Sequence, residues 1–233
     1  MSGDPDALIV TMKRVASTLK AAEIPFALAG GFAVYARGGP ASTHDVDFLI
    51  RSSDVQSAVG ACVEAGLRSE QPPEDWLVKV YDGDCLVDLI FRPSEREVTF
   101  DMLERAEELP VEALRMPVLS ATDLLLNKLL AFTEHYCDLT TVLPLGRALR
   151  EQIDWDLVHD ATAHSPYAEA FLLAAERLGI APSGTLRLEG LGHDAGPAST
   201  GAAPEPGAAP DPSTAPVPSA APEPSADPAP AAV

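Results

Sequence analysis

The sequence predicts an α+β domain followed by a helical lobe and a disordered Pro/Ala-rich tail, and three observations predict it. Strand-like and helix-like segments alternate as far as Phe91, whereas helical patterns alone recur after Leu119. Asp82-Gly83-Asp84 is a hairpin signal between two strand-like runs. Twelve of the 22 prolines fall after residue 181, and 195–233 is built almost entirely of Ala, Pro, Ser, Gly, Glu and Asp. A segment so poor in branched apolar and aromatic side chains buries too little surface to offset its ordering entropy. The expected organisation is a core over 1–119, a helical lobe over 120–180 and a tail over 181–233.

Taken in order, Leu8, Ile9, Met12, Val15, Ala16 and Leu19 recur at helical spacing between Pro5 and Ala22. Phe26 to Ala29 is a short apolar run that stops at Gly30-Gly31, and a short helix follows from Phe32 to Arg37. His44 to Ile50 is a strand by composition, and Ser52-Ser53 stand where they would cap a helix from Asp54 to about Ala65. Trp76 to Tyr81 and Cys85 to Phe91 are the paired strands of the hairpin. No pattern emerges from Arg92 to Pro117. Ser120-Ala121-Thr122-Asp123 has the form of a capping box before an apolar helix to about Glu134. Further helices are expected at Pro144–Gln152, Asp156–Ala163 and Pro166–Leu178.

The formal net charge is −19, and up to Ile180 there are 15 basic and 29 acidic residues. Such a balance repels nucleic acid and anionic membrane and argues against broad attachment to either. Cys62, Cys85 and Cys137 form no CxxC and no zinc-ligand spacing. No signal-peptide pattern and no apolar run of membrane-spanning length is present, so a soluble cytoplasmic protein is expected.

The chemistry centres on carboxylates. Asp45 and Asp47 are two apart in a strand-like run, so both project to one face while Val46, Phe48 and Ile50 project to the other. Like charges side by side are costly to bury without a cation or hydrogen-bond donors. Asp-x-Asp itself is common here: Asp4/Asp6, Asp82/Asp84 and Asp154/Asp156 share the spacing, but those sit at helix starts or a turn. Asp88 interrupts an otherwise apolar strand, Cys85 to Phe91, where an acid needs a partner. That partner is either a shared metal ion or a cation such as Lys79 or Arg92. Three converging carboxylates, hard oxygen ligands with positions left for phosphate, suit Mg²⁺. Gly30-Gly31 lets the backbone approach a ligand closely. Lys128 lies in a helix that is apolar nearly all round, so it snorkels, pairs with an acid or meets a phosphate.

The ordered set Leu28-Ala29-Gly30-Gly31, Ser42-Thr43-His44-Asp45-Val46-Asp47-Phe48 and Val87-Asp88-Leu89 resembles the nucleotidyltransferase superfamily that shares the DNA polymerase beta palm. Asp123-Leu124-Leu125-Leu126-Asn127-Lys128 is similar to the Asp-Leu-x-x-x-Lys motif of nucleotidyltransferases of the abortive-infection toxin type, the AbiEii-like proteins. The resemblance covers roughly residues 24–160. It implies a mixed β-sheet with flanking helices and Mg²⁺-dependent transfer of NMP from an NTP, such as ATP, to an acceptor hydroxyl. Asp45, Asp47 and Asp88 would be the catalytic and metal-binding residues, and Gly30, Gly31, Thr43 and Lys128 would bind the nucleotide.

The toxin-type likeness implies an RNA 3′ end such as tRNA as acceptor, with a cognate antitoxin as partner. A small-molecule hydroxyl of aminoglycoside type, a protein hydroxyl, or a catalytically silent nucleotide- or partner-binding module are the alternatives. Ala41 stands where that group often carries an arginine. Arg37 and Arg92 are candidates to neutralise pyrophosphate. Asp138 matches either a later family acid or a helix N-cap.

Overall fold

The computed structural model describes residues 5–40 and 45–186. Thr43, and the Pro/Ala-rich tail from residue 187 onward, lie outside the described residues. The elements are α1 (Pro5–Ala21), β1 (Phe26–Ala29), α2 (Gly30–Ala36), β2 (Val46–Ile50), α3 (Val55–Glu64), β3 (Arg68–Glu70), β4 (Leu77–Asp82), β5 (Cys85–Ile90), α4 (Phe100–Glu104), β6 (Glu107–Val111), β7 (Leu114–Val118), α5 (Ala121–Leu130), α6 (Leu139–Leu149), α7 (Trp155–Thr162) and α8 (Pro166–Arg177). Short 3₁₀ turns occupy Ser52–Asp54 and Pro93–Glu95.

The strands form one mixed sheet in the order β3-β4-β5-β2-β1-β7-β6, with β2 at its centre. Val46, Phe48 and Ile50 of β2 are fully buried, as the alternation in the sequence requires. β2 runs antiparallel to β1 and parallel to β5, and this pairing decides where the acids meet. β4 and β5 form the expected hairpin about Gly83-Asp84, with Gly83 in the left-handed region at φ +60°. Leu8, Met12, Val15, Ala16 and Leu19 form the buried stripe of α1, which packs on α3 and β5. α5 packs against α2, α6, α7 and α8, so the C-terminal helices gather around its apolar faces. No helix of the described residues is long and apolar enough to cross a membrane.

Several boundaries differ from the sequence reading, each for a physical reason. Ser52 and Ser53 do not cap α3: a 3₁₀ turn intervenes, Arg51 pairs with Asp54 at 2.7 Å, and the Ser52 hydroxyl donates to Glu97. Between Arg92 and Pro117 lie α4, β6 and most of β7, none of which the sequence pattern revealed. α5 ends at Leu130 rather than near Glu134, and α6 starts at Leu139, where Asp138 caps it by accepting from Thr140 N at 2.9 Å. Ser120 caps α5 as expected, accepting from Asp123 N at 3.0 Å.

Arg37 is built into this frame. Its Nε donates to Leu119 O at 2.6 Å, and its terminal nitrogens donate to Val118 O, Glu107 and Gln152. Gln152 returns a hydrogen bond to Arg37 O at 3.0 Å. The guanidinium is thus committed to structure, which corrects the expectation that Arg37 neutralises pyrophosphate. Arg37→Met leaves buried carbonyls without their donor and is expected to lower the unfolding free energy by about 3 kcal/mol, read by urea denaturation.

Candidate active site

Asp47 on β2 stands beside Asp88 on β5 and beside Ala29 on β1 in the strand register. Asp45 precedes β2 and projects to the same side two residues upstream. One carboxylate oxygen from each of Asp45, Asp47 and Asp88 lies within 4.8 Å of the others. Asp88 is buried and the other two are half-buried. The expected convergence of the three acids is therefore present, with Asp45 just ahead of β2 rather than within the strand.

Gly30 opens α2 at φ +56°, and a Cβ there would stand 1.7 Å from Asp47 Oδ2. The residue is glycine because the carboxylate occupies the space where a side chain would begin. Gly31 follows in the first turn of α2 and is half-buried. This differs from the sequence reading, in which the diglycine lay ahead of the helix and admitted a ligand. Here Gly30 admits a carboxylate.

Two lysines answer the negative charge. Lys79 on β4 is directly opposite Asp88, with Nζ 3.6 Å from Oδ1. That is an ion pair longer than a hydrogen bond, and Asp88 Oδ1 is buried without a hydrogen-bond donor among the described residues. Lys128 is exposed on α5 and close enough to act on the charge of Asp47. Burial, and then the charges of Asp45 and Asp88, push the Asp47 carboxyl up to about 7 against the opposing effect of Lys128 and Lys79. Asp88 is raised also, by burial above all, with Lys79 opposing.

The three acids, Gly30 and Lys128 line a cavity of about 850 Å³. Asp75, Trp76, Arg92 and Tyr136 line it too, and of these the motifs had singled out only Arg92. Arg92 pairs with Asp75 at 2.6 Å. Asp123, which opens the Asp-Leu-x-x-x-Lys run, is buried, and Arg105 grips both its oxygens at 2.9 and 3.1 Å. Its part is to hold α5, and with it Lys128, in place. Lys79 was countable from the hairpin: it and Asp88 are equally far from the turn.

Three converging carboxylates, one of them carrying a buried oxygen without a donor among the described residues, have the hard oxygens that suit a divalent cation. No protein-family model and no curated protein matches the sequence. Among solved structures, the solution structure of the antibiotic-resistance factor ANT(2'')-Ia is similar at TM-score 0.52, covering 76% of this chain and 97% of that one with 13% identity. The crystal structure of ANT(2'')-Ia in complex with adenylyl-2''-tobramycin gives TM-score 0.50, 71% and 97% coverage and 13% identity. The chain has a nucleotidyltransferase fold. At this identity the shared property is the fold; here Asp47 and Asp88 sit on the paired strands β2 and β5, and Asp45 just ahead of β2.

The raised Asp47 carboxyl has a consequence for stability. Between the ordinary value of 3.8 and about 7, the native state of the metal-free protein keeps a proton that the unfolded chain has released. Its stability therefore falls as pH rises through that window. In EDTA, Asp47→Asn is expected to make this decline shallower, which thermal unfolding across the window measures.

Proposed function

We propose that the protein is a Mg²⁺-dependent nucleotidyltransferase that moves NMP from an NTP to a hydroxyl of a small, ring-bearing acceptor. The observation that carries this reading is the meeting of Asp45, Asp47 and Asp88 within 4.8 Å at the wall of a roughly 850 Å³ cavity. A divalent ion held by those acids supplies charge neutralisation for a triphosphate and for the attacking and leaving oxygens. In the transfer, the acceptor oxygen bonds to the α-phosphorus, the bond to the bridging oxygen breaks, and pyrophosphate leaves. Asp88 takes the hydroxyl proton. Gly30 keeps the Asp47 carboxylate in register by leaving it room, and Lys128 meets the triphosphate from α5. Positioning and electrostatics then provide most of the acceleration.

The cavity lining and a structural neighbour support this acceptor class. Asp45, Asp47, Asp75 and Asp88 line the cavity against Lys128 and Arg92, the latter paired with Asp75. Trp76 and Tyr136 add partly exposed aromatic faces suited to a ring. With the three acids engaged by the ion and Asp75 by Arg92, these aromatic faces suit a ring-bearing small molecule better than an RNA end. The ANT(2'')-Ia complex with adenylyl-2''-tobramycin supports the same class.

The test is pyrophosphate release from labelled NTPs, ATP first, with Mg²⁺ and either an aminoglycoside or total RNA. Label is expected in the small-molecule fraction, and Asp45→Asn is expected to lower transfer at least about a hundred-fold with the fold retained. A folded, fully active Asp45→Asn protein ends the mechanism. Label in RNA favours the toxin–antitoxin setting instead, and nucleotide binding without pyrophosphate release favours a silent binding module.

A further inference from the structure

Lys79 is placed more deliberately than a surface lysine. Val78 and Val80 on either side of it are buried, so Lys79 projects from the opposite face of β4. On that face the register sets it between Glu70 of β3 and Asp88 of β5. Glu70 is engaged by Arg68 at 3.1 Å, whereas the Lys79 ammonium lies 3.6 Å from Asp88 Oδ1. The Lys79 side chain is 25% exposed and that of Asp88 10%. The pair is thus held mostly out of water, where a charge acts strongly on its neighbours. At that separation Asp88 Oδ1 has no hydrogen bond among the described residues, so Lys79 acts on Asp88 by charge rather than through a hydrogen bond.

We propose that Lys79 is a built-in counter-cation for Asp88 that competes with the divalent ion, keeping the free site weakly metallated so that the ion enters with the NTP. The inference rests on the metal-binding reading of the three acids. Without Lys79 the metal-free site would hold three mutually repelling carboxylates opposed by Lys128 alone among the lysines that act on Asp47. With Lys79 present, an entering divalent ion meets a positive charge already at Asp88. A triphosphate brings the negative charge that reverses this balance, which makes the ion a co-substrate rather than a resident.

The experiment measures Mn²⁺ binding without nucleotide, from the electron paramagnetic resonance signal of free Mn²⁺, at about pH 8 so that protons compete little for the carboxylates. Wild type, Lys79→Met and the charge-retaining Lys79→Arg are compared, with circular dichroism as the check on folding. Lys79→Met is expected to bind Mn²⁺ about ten-fold more tightly, with Lys79→Arg close to wild type. In EDTA, Lys79→Met is also expected to melt at a lower temperature than wild type, and to gain more on adding Mn²⁺. Should Lys79→Met fail to fold, Lys79→Gln is read in the same way. A folded variant without the charge that binds Mn²⁺ no more tightly than wild type overturns the role of Lys79 alone. Absence of Mn²⁺ binding in wild type and neutral variants alike, with an NTP as well as without, overturns the metal reading beneath it.

Discussion

The parallel pairing of β2 with β5 is the constraint on which the candidate site depends. It sets Asp47 beside Asp88, and the period of the strand adds Asp45 on the same side. Like charges brought this close in a half-buried place repel, and burial raises both Asp47 and Asp88. A protein that only needed a sheet would put apolar residues there, as it does on the opposite face with Val46, Phe48 and Ile50. The proposed metal site gives the repulsion a purpose, because a cation bound at that point would be attracted by every one of the three charges.

The surrounding elements are arranged to keep that point intact. Gly30 starts α2 against the Asp47 carboxylate, so the β1–α2 turn and β2 are fitted to each other at atomic distance. Asp123, gripped by Arg105 and hydrogen-bonded to Ser120, fixes the start of α5, and Lys128 lies one and a half turns further along. Arg37 ties α2 to the end of β7 and to Gln152 beyond α6. One of the helices after β7 thus carries a cation to the cavity.

The acids were legible in the sequence because they break a rule: Asp in the middle of an apolar strand needs a reason, and Asp47 and Asp88 each do so. The β4–β5 hairpin was legible from Gly83, which the turn requires. β6 and β7 were not, and their own residues explain why. Pro110 and Pro117 argue against strands, yet β6 is an edge where a missing N–H is tolerated, and β7 pairs with β1 in register only at Leu28 and Val118. Their turn places Glu112 and Ala113 at φ +46° and +66° without the Gly or Asn that would have announced it. Gly30 was legible as a close approach but not as to what approaches, since only the folded register brings Asp47 to it.

The central claim is that the three carboxylates hold one divalent site for a nucleotide. The most direct measurement is a crystal structure with Mn²⁺ and a non-hydrolysable NTP analogue, with the metal placed by anomalous scattering. The account predicts a manganese peak at about 2.2 Å from oxygens of Asp45, Asp47 and Asp88, with the triphosphate reaching toward Lys128. Nucleotide bound with manganese elsewhere, or with those carboxylates uncoordinated, would contradict it.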